Sequence, residues 1–318
     1  DYFYILLAWA IWRCPPDPRE RDRLVTILMA TGSFAGAFGL AQQALGFARL
    51  HALGYQYNST IRFTGSHLRS FGTFSYQSPF AYFLMVVLIL GVSQALTEPH
   101  RARNRLFVAS LPVLLGSLLF TFERGAWLGV GVGWLYIGLR RHRTLLLALP
   151  PALLVPLYLP AGITSTALSN RSLGQRANGW AANIHQVLLH PLGAGIGATG
   201  AAAARVAALQ VQGSAPPSGT SGTVVAATYQ PDNYYYKTLY EFGVVGMWLL
   251  VIFLVAAAVS CHQTSGRLQG RDAALADGVC AFVLAAVVAS AVATFFEIYP
   301  MDLFTWLLLG TVAVCDPE

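Results

Sequence analysis

The chain has 318 residues, of which 55% are hydrophobic and only 11% charged, and its mean hydropathy is +0.54. A soluble domain carries roughly 25% charged residues, so this composition cannot cover a water-facing surface and suits a lipid-facing one. The net charge of +6 rests on 19 arginines and the single Lys237; because the arginines fall mainly between apolar stretches, membrane topology explains them and no nucleic-acid partner is expected.

A membrane-spanning helix needs about 20 mostly apolar residues. In chain order the apolar stretches predict helices over 2–12, 24–46, 79–97, 106–122, 125–139, 144–160, 239–260, 274–295 and 303–315. That makes about nine transmembrane helices in an all-α polytopic membrane protein. The first stretch is short, opens directly after Asp1 and shows no signal-peptide pattern, so it reads as a truncated helix.

The loops separate by charge. Arg13, Arg19, Arg21 and Arg23 fall in 13–23; Arg101, Arg103 and Arg105 in 98–105; Arg140, Arg141 and Arg143 in 140–143; Arg267 and Arg271 in 261–273. These are alternate loops in the helix count, so they share one side, and the positive-inside rule makes that side cytoplasmic. The opposite, periplasmic face then carries 47–78, a tight turn at 122–125, the segment 161–238 and 296–302. We read 1–318 as a single transmembrane domain with 161–238 as its large periplasmic loop. That loop opens with a predicted amphipathic helix, Ser172–His190, suited to a membrane surface. A flexible Ser/Gly/Pro linker at 214–223 follows.

Charge near membrane depth is costly, about 2.5–3.5 kcal/mol for a central Arg or Asp, which singles out a few residues. Glu123 and Arg124 interrupt an apolar run. Either they form a hairpin tip where both charges reach water or pair with each other, or Arg124 faces an outward cavity and clamps an anion through its planar fork. Arg176 and Trp180 stand four apart, as an interfacial anchor or as a second phosphate contact. Arg171 is a weaker residue of the same kind. Arg69 lies just before an outward helix end and is a third phosphate contact to weigh.

Pro231-Asp-Asn-Tyr-Tyr-Tyr-Lys-Thr-Leu-Tyr-Glu-Phe-Gly243 is the densest polar cluster. Asp232 reads as a helix N-cap or as a general base beside a wall of Tyr234, Tyr235 and Tyr236. Lys237 and Glu241 are spaced to pair along a helix. Gly195-Ile-Gly-Ala-Thr-Gly200 matches a dinucleotide fingerprint but follows no strand of a βαβ unit. His185 and His190 are five apart with no third ligand, so no metal site is expected. Cys14, Cys261, Cys280 and Cys315 show no metal spacing and predict no structural disulfide.

Four segments, in order, carry a resemblance: Arg69-Ser-Phe-Gly-Thr-Phe74 with Ser78-Pro79; Phe122-Glu-Arg-Gly-Ala-Trp127; Arg176-Ala-Asn-Gly-Trp180 running to His190-Pro-Leu-Gly-Ala-Gly-Ile-Gly197; and Asp232-Asn-Tyr-Tyr-Tyr with Glu241-Phe-Gly243. From about residue 60 onward the chain resembles the O-antigen ligase and O-antigen polymerase superfamily of bacterial glycan-transfer enzymes. The resemblance implies an inverting, metal-independent glycosyltransferase of the inner membrane, needing no cofactor, whose active site faces the periplasm. Its donor would be a glycan on undecaprenyl diphosphate, and its acceptor a hydroxyl of a glycan or of lipid A. By the same resemblance Arg124 and Arg176 would hold the diphosphate. Asn233, Tyr234 and Tyr235 would line the sugar or acceptor side. Where ligases place a catalytic His before the Asn, this chain has Asp232, so either Asp232 replaces it as base or Glu241 or another group takes over. The change favours a polymerase-like member over a lipid A ligase. Family members have more helices before the first motif, as a truncated N-terminus would require. A transporter or channel for a small solute is the alternative, disfavoured because the polar groups gather at one face and no inverted repeat is visible. A purely structural scaffold would leave Arg124, Arg176 and Asp232 without a role.

Overall fold

The computed structural model describes residues 4–56, 60–147, 187–188, 190–199 and 233–315. They are mostly helical. In chain order the α-helices are α1 (Tyr4–Arg13), α2 (Pro18–Ala52), α3 (Gln77–Thr97), α4 (Ala102–Leu119), α5 (Arg124–Arg140), α6 (Tyr234–Arg267), α7 (Gly270–Ser290) and α8 (Met301–Ala313). Four of them, α2, α3, α6 and α7, are long and apolar enough to cross a membrane. The chain divides into two compact units. One comprises residues 1–168, 256–289 and 296–318, and the other 169–255 and 290–295.

Within the first unit α3 is the centre. Its sequence is apolar all round, as a helix buried on every side must be, and Phe80 through Ala95 are buried without a break. It packs against α2, α4 and α5. Small residues let the helices approach closely, the usual device where lipid supplies no hydrophobic drive between helices. A Cβ on Gly32 of α2 would lie 2.5 Å from Val87, and one on Gly36 would lie 2.6 Å from Leu114. Across the α3–α7 contact, Ser93 Oγ donates to the Ala274 carbonyl at 2.7 Å.

The helix ends depart from the apolar stretches in a consistent way. Helix α2 starts at Pro18, before the predicted 24, because Asp17 and Glu20 form a reciprocal capping box that carries the helix through its charged first turns. Helix α4 ends at Leu119 and a turn at 120–123 follows, where a helix to 122 was expected. Helix α7 stops at Ser290, short of 295. Of the predicted 144–160 helix, Arg143–Leu147 is a 3-10 turn, and 148–160 lie outside the described residues, as do the amphipathic helix up to 186 and the linker at 214–223. All four cysteines are free.

The arginine-rich ends of α2, α3, α4 and α7 carry an ion-pair network. Arg21 grips Asp272 through two bonds of 3.2 and 2.5 Å. Asp22 takes Arg101 at 2.6 Å through both oxygens and Arg103 at 2.9 Å. That grip holds the Arg101 guanidinium above its ordinary pKa, against a smaller opposing effect of burial. Near the end of α5, Asp277 is 2% exposed and binds Arg141 and Ser265.

Candidate functional site

The first two sequence motifs meet in the first unit. The 69–74 strip is laid down by α2. Gln42 Oε1 accepts the Phe71 and Gly72 amides, each at 3.0 Å, while its Nε2 donates to the Gly72 carbonyl at 2.8 Å. Ser70 Oγ donates to the Gly39 carbonyl, and the Ser70 amide reaches the Phe120 carbonyl, both at 2.8 Å. A buried cluster of Leu50, Ile61, Leu68 and Phe71 lies beneath.

This places Arg69 against the 120–123 turn. Its Nε donates to the Thr121 carbonyl at 2.9 Å, and its Nη2 pairs with Glu123 Oε2 at 3.2 Å. The same Glu123 oxygen accepts from Ser78 Oγ at 3.0 Å. Glu123 is thus paired with Arg69, a partner that neither sequence reading of Glu123 and Arg124 named. Arg124 follows as the first residue of α5. Phe122 between them has φ +56°, a left-handed conformation that costs an ordinary residue roughly 1–2 kcal/mol. It is 92% buried (8% exposed) and stacks on His67 with centroids 6.2 Å apart. A strained residue held by its surroundings is characteristic of sites where side-chain aim matters. Nearby, burial raises the Tyr76 hydroxyl pKa, partly opposed by Arg62 stacked over its ring at 5.5 Å.

The other two motifs meet in the second unit. Helix α6 is broken at Gly243, with φ +66° and ψ −164°. The break frees the Tyr240 and Glu241 carbonyls, which Ala194 and Gly195 amides fill at 2.8 and 3.0 Å, while Val244 N donates to the Pro191 carbonyl at 3.0 Å. Buried backbone groups must find partners, and here the His190–Gly197 turn supplies them. No Cβ fits at Gly193 or Gly243, since each would collide with backbone of the facing segment.

Glu241 is 5% exposed. Its Oε1 accepts from the Thr199 hydroxyl at 2.9 Å and lies 3.6 Å from Lys237 Nζ, the i,i+4 pair expected from spacing. Asn233 caps α6: its Oδ1 accepts the Tyr236 amide at 3.0 Å, and its Nδ2 donates to the Ala291 carbonyl at 3.0 Å. The cap expected of Asp232 therefore falls one residue later, on a residue type equally suited to it. Tyr234 and Tyr235 are half-buried, but Tyr236 packs inward, so the expected wall of three tyrosines is reduced to two. Arg171, Arg176, Trp180, Asp232 and His185 lie outside the described residues.

Sequence reasoning missed Ser78 and Thr199 as anchors of Glu123 and of the buried Glu241. The signal for Ser78 was its place at the start of a helix beside the Arg69 motif; Thr199 had none, because the Gly-rich segment has no periodicity. Among the described residues no three His, Cys, Asp or Glu side chains converge as a metal site would require. The described residues thus define a mostly helical protein, with four helices among them long and apolar enough to cross a membrane and two polar clusters at helix ends. Compared with known proteins, the chain matches no family model and no curated protein.

Proposed function

We propose that the chain is a membrane glycosyltransferase that moves a glycan from undecaprenyl diphosphate to an acceptor hydroxyl at the outer face of a bacterial inner membrane. In this reading the chain crosses the membrane about nine times. The arginine-rich loops lie in the cytoplasm, and 161–238 is a periplasmic loop. The acceptor hydroxyl attacks the anomeric carbon, its proton passes to Asp232, and the bond from that carbon to the diphosphate oxygen breaks with inversion. Arg124 and Arg176 stabilise the charge that builds on the leaving undecaprenyl diphosphate, a role fixed cations fill without reorganisation.

The observation that carries this reading is the Arg69–Glu123–Ser78 cluster at the start of α5. It ties the first two family-like motifs together, with Arg124 following directly as the first residue of α5. Glu241 is held by Thr199 and Lys237, which favours Asp232 over Glu241 as the base.

The test is to supply the purified chain with undecaprenyl-diphosphate oligosaccharide and a glycan acceptor in the presence of a chelator. Formation of lengthened glycan together with free undecaprenyl diphosphate is the expected result. An intact donor after prolonged incubation with every acceptor tried would overturn the proposal.

A further inference from the structure

At the arginine-rich end of the first unit, a cleft of about 590 Å³ opens between the starts of α2 and α7 and the end of α3. Its size falls within the roughly 300–1,000 Å³ typical of small-molecule sites. Its charged lining is Arg21, Asp22, Glu98, Arg267, Arg271 and Asp272. Three arginines face three carboxylates, but the carboxylates are not equally available. Asp272 is held by Arg21. Asp22 is already gripped from outside the cleft by Arg101 and Arg103, so it can offset little of the cleft's own charge. Glu98 is shared between Arg101 and Arg271, each at 3.5 Å. Four arginines thus share these three carboxylates, and with Arg267 beside them the cluster has an excess of two positive charges.

The excess sits at the mouth. Arg271 makes only loose pairs of 3.5 Å, to Asp22 and Glu98, and its side chain is 47% exposed. Arg267 is exposed and, among the described residues, its guanidinium has no hydrogen-bond or ion-pair partner. Exposed guanidinium forks lining a polar cleft suit a phosphate group, which accepts several charge-assisted hydrogen bonds at once. Basic pockets where helices leave the bilayer hold phosphate-bearing lipid headgroups by the same chemistry.

We infer that this cleft is a binding site for an anionic phosphate group, with Arg267 and Arg271 as its direct contacts and Arg21 held in place behind them by Asp272. The site is separate from the Arg69–Glu123–Ser78 cluster and does not rest on the proposed transfer reaction.

The full chain, purified in neutral detergent, would be titrated with dioctanoyl phosphatidylglycerol, dioctanoyl phosphatidylcholine and inorganic pyrophosphate, with binding read from the shift in thermal unfolding. Saturable stabilisation by phosphatidylglycerol but not by the other two identifies a lipid headgroup; stabilisation by pyrophosphate identifies a free phosphate ligand. Either supports the site. Arg267→Gln should weaken the responding probe at least about tenfold, as loss of charge-assisted bonds to phosphate implies. Adding Arg271→Gln should weaken it further. Arg105→Gln, exposed on the same helix-end surface but outside the cleft, should leave it unchanged. Among the described residues Arg267 has no partner to lose, so its variant is expected to fold, with helix content confirmed by circular dichroism. No saturable response to either anionic probe, or an equal loss in Arg105→Gln, would overturn the inference.

Discussion

Replacing Glu123 by Ala removes the acceptor of two bonds at once, the 3.2 Å ion pair from Arg69 and the 3.0 Å bond from Ser78. The Arg69 and Glu123 side chains are 21% and 13% exposed. An exposed pair is worth roughly 0–1 kcal/mol, whereas removing one partner of a buried pair costs about 3–5 kcal/mol. At this intermediate burial, with Arg69 keeping the Thr121 carbonyl, the expected loss is about 2 kcal/mol. Ser78→Ala alone should cost about 1 kcal/mol. The assay is a double-mutant cycle of Arg69→Ala and Glu123→Ala, read by reversible unfolding in mixed micelles. A coupling of about 1–2 kcal/mol is expected for residues in direct contact. Single effects that add to within about 0.5 kcal/mol would refute the idea that this pair joins the two motifs.

At Phe122 the left-handed backbone predicts an inversion of the usual order: Phe122→Gly should be more stable than Phe122→Ala by about 1 kcal/mol in the same unfolding assay. Gly243→Ala would force a Cβ against the Pro191 carbonyl at φ +66°; we expect a loss of at least about 2 kcal/mol and faster amide exchange across 191–199. Burial and then Arg141 lower the pKa of His142. The unfolded chain therefore takes up a proton that the folded chain refuses. Stability from this residue is present in full above the unfolded pKa of about 6.5 and falls as pH drops below it. His142→Gln should flatten that part of the pH profile between pH 7.5 and 5.

Among the described residues most helices were legible from their apolar stretches, because a helix buried in protein or lipid announces itself by composition; 144–147, which form part of a 3-10 turn, are the exception. The Lys237–Glu241 pair was legible for a similar reason: it is local and obeys helix spacing. Helix starts were less so. Hydropathy drops at Arg23, yet α2 runs back to Pro18 because a capping box, not apolarity, sets its start. The long-range pairs were invisible. Arg21 and Asp272 are 251 residues apart and Arg69 and Glu123 are 54 apart, and no periodicity connects such positions. The arginine-rich loops therefore read only as topology signals, and the carboxylates that bind them went unnoticed. The break at Gly243 was hidden too, since a glycine inside an apolar helix does not reveal whether a second segment needs its carbonyls.

The central claim is that Arg124, at the start of α5, holds the diphosphate of a lipid-linked glycan donor. The direct measurement is the rate of undecaprenyl diphosphate release by the wild-type chain and by Arg124→Ala, with chelator present and equal helix content verified. Release by wild type and a loss of at least about a hundredfold in the variant is the expected result, the size seen when a donor to developing negative charge is removed. Equal rates in the two proteins would contradict the account.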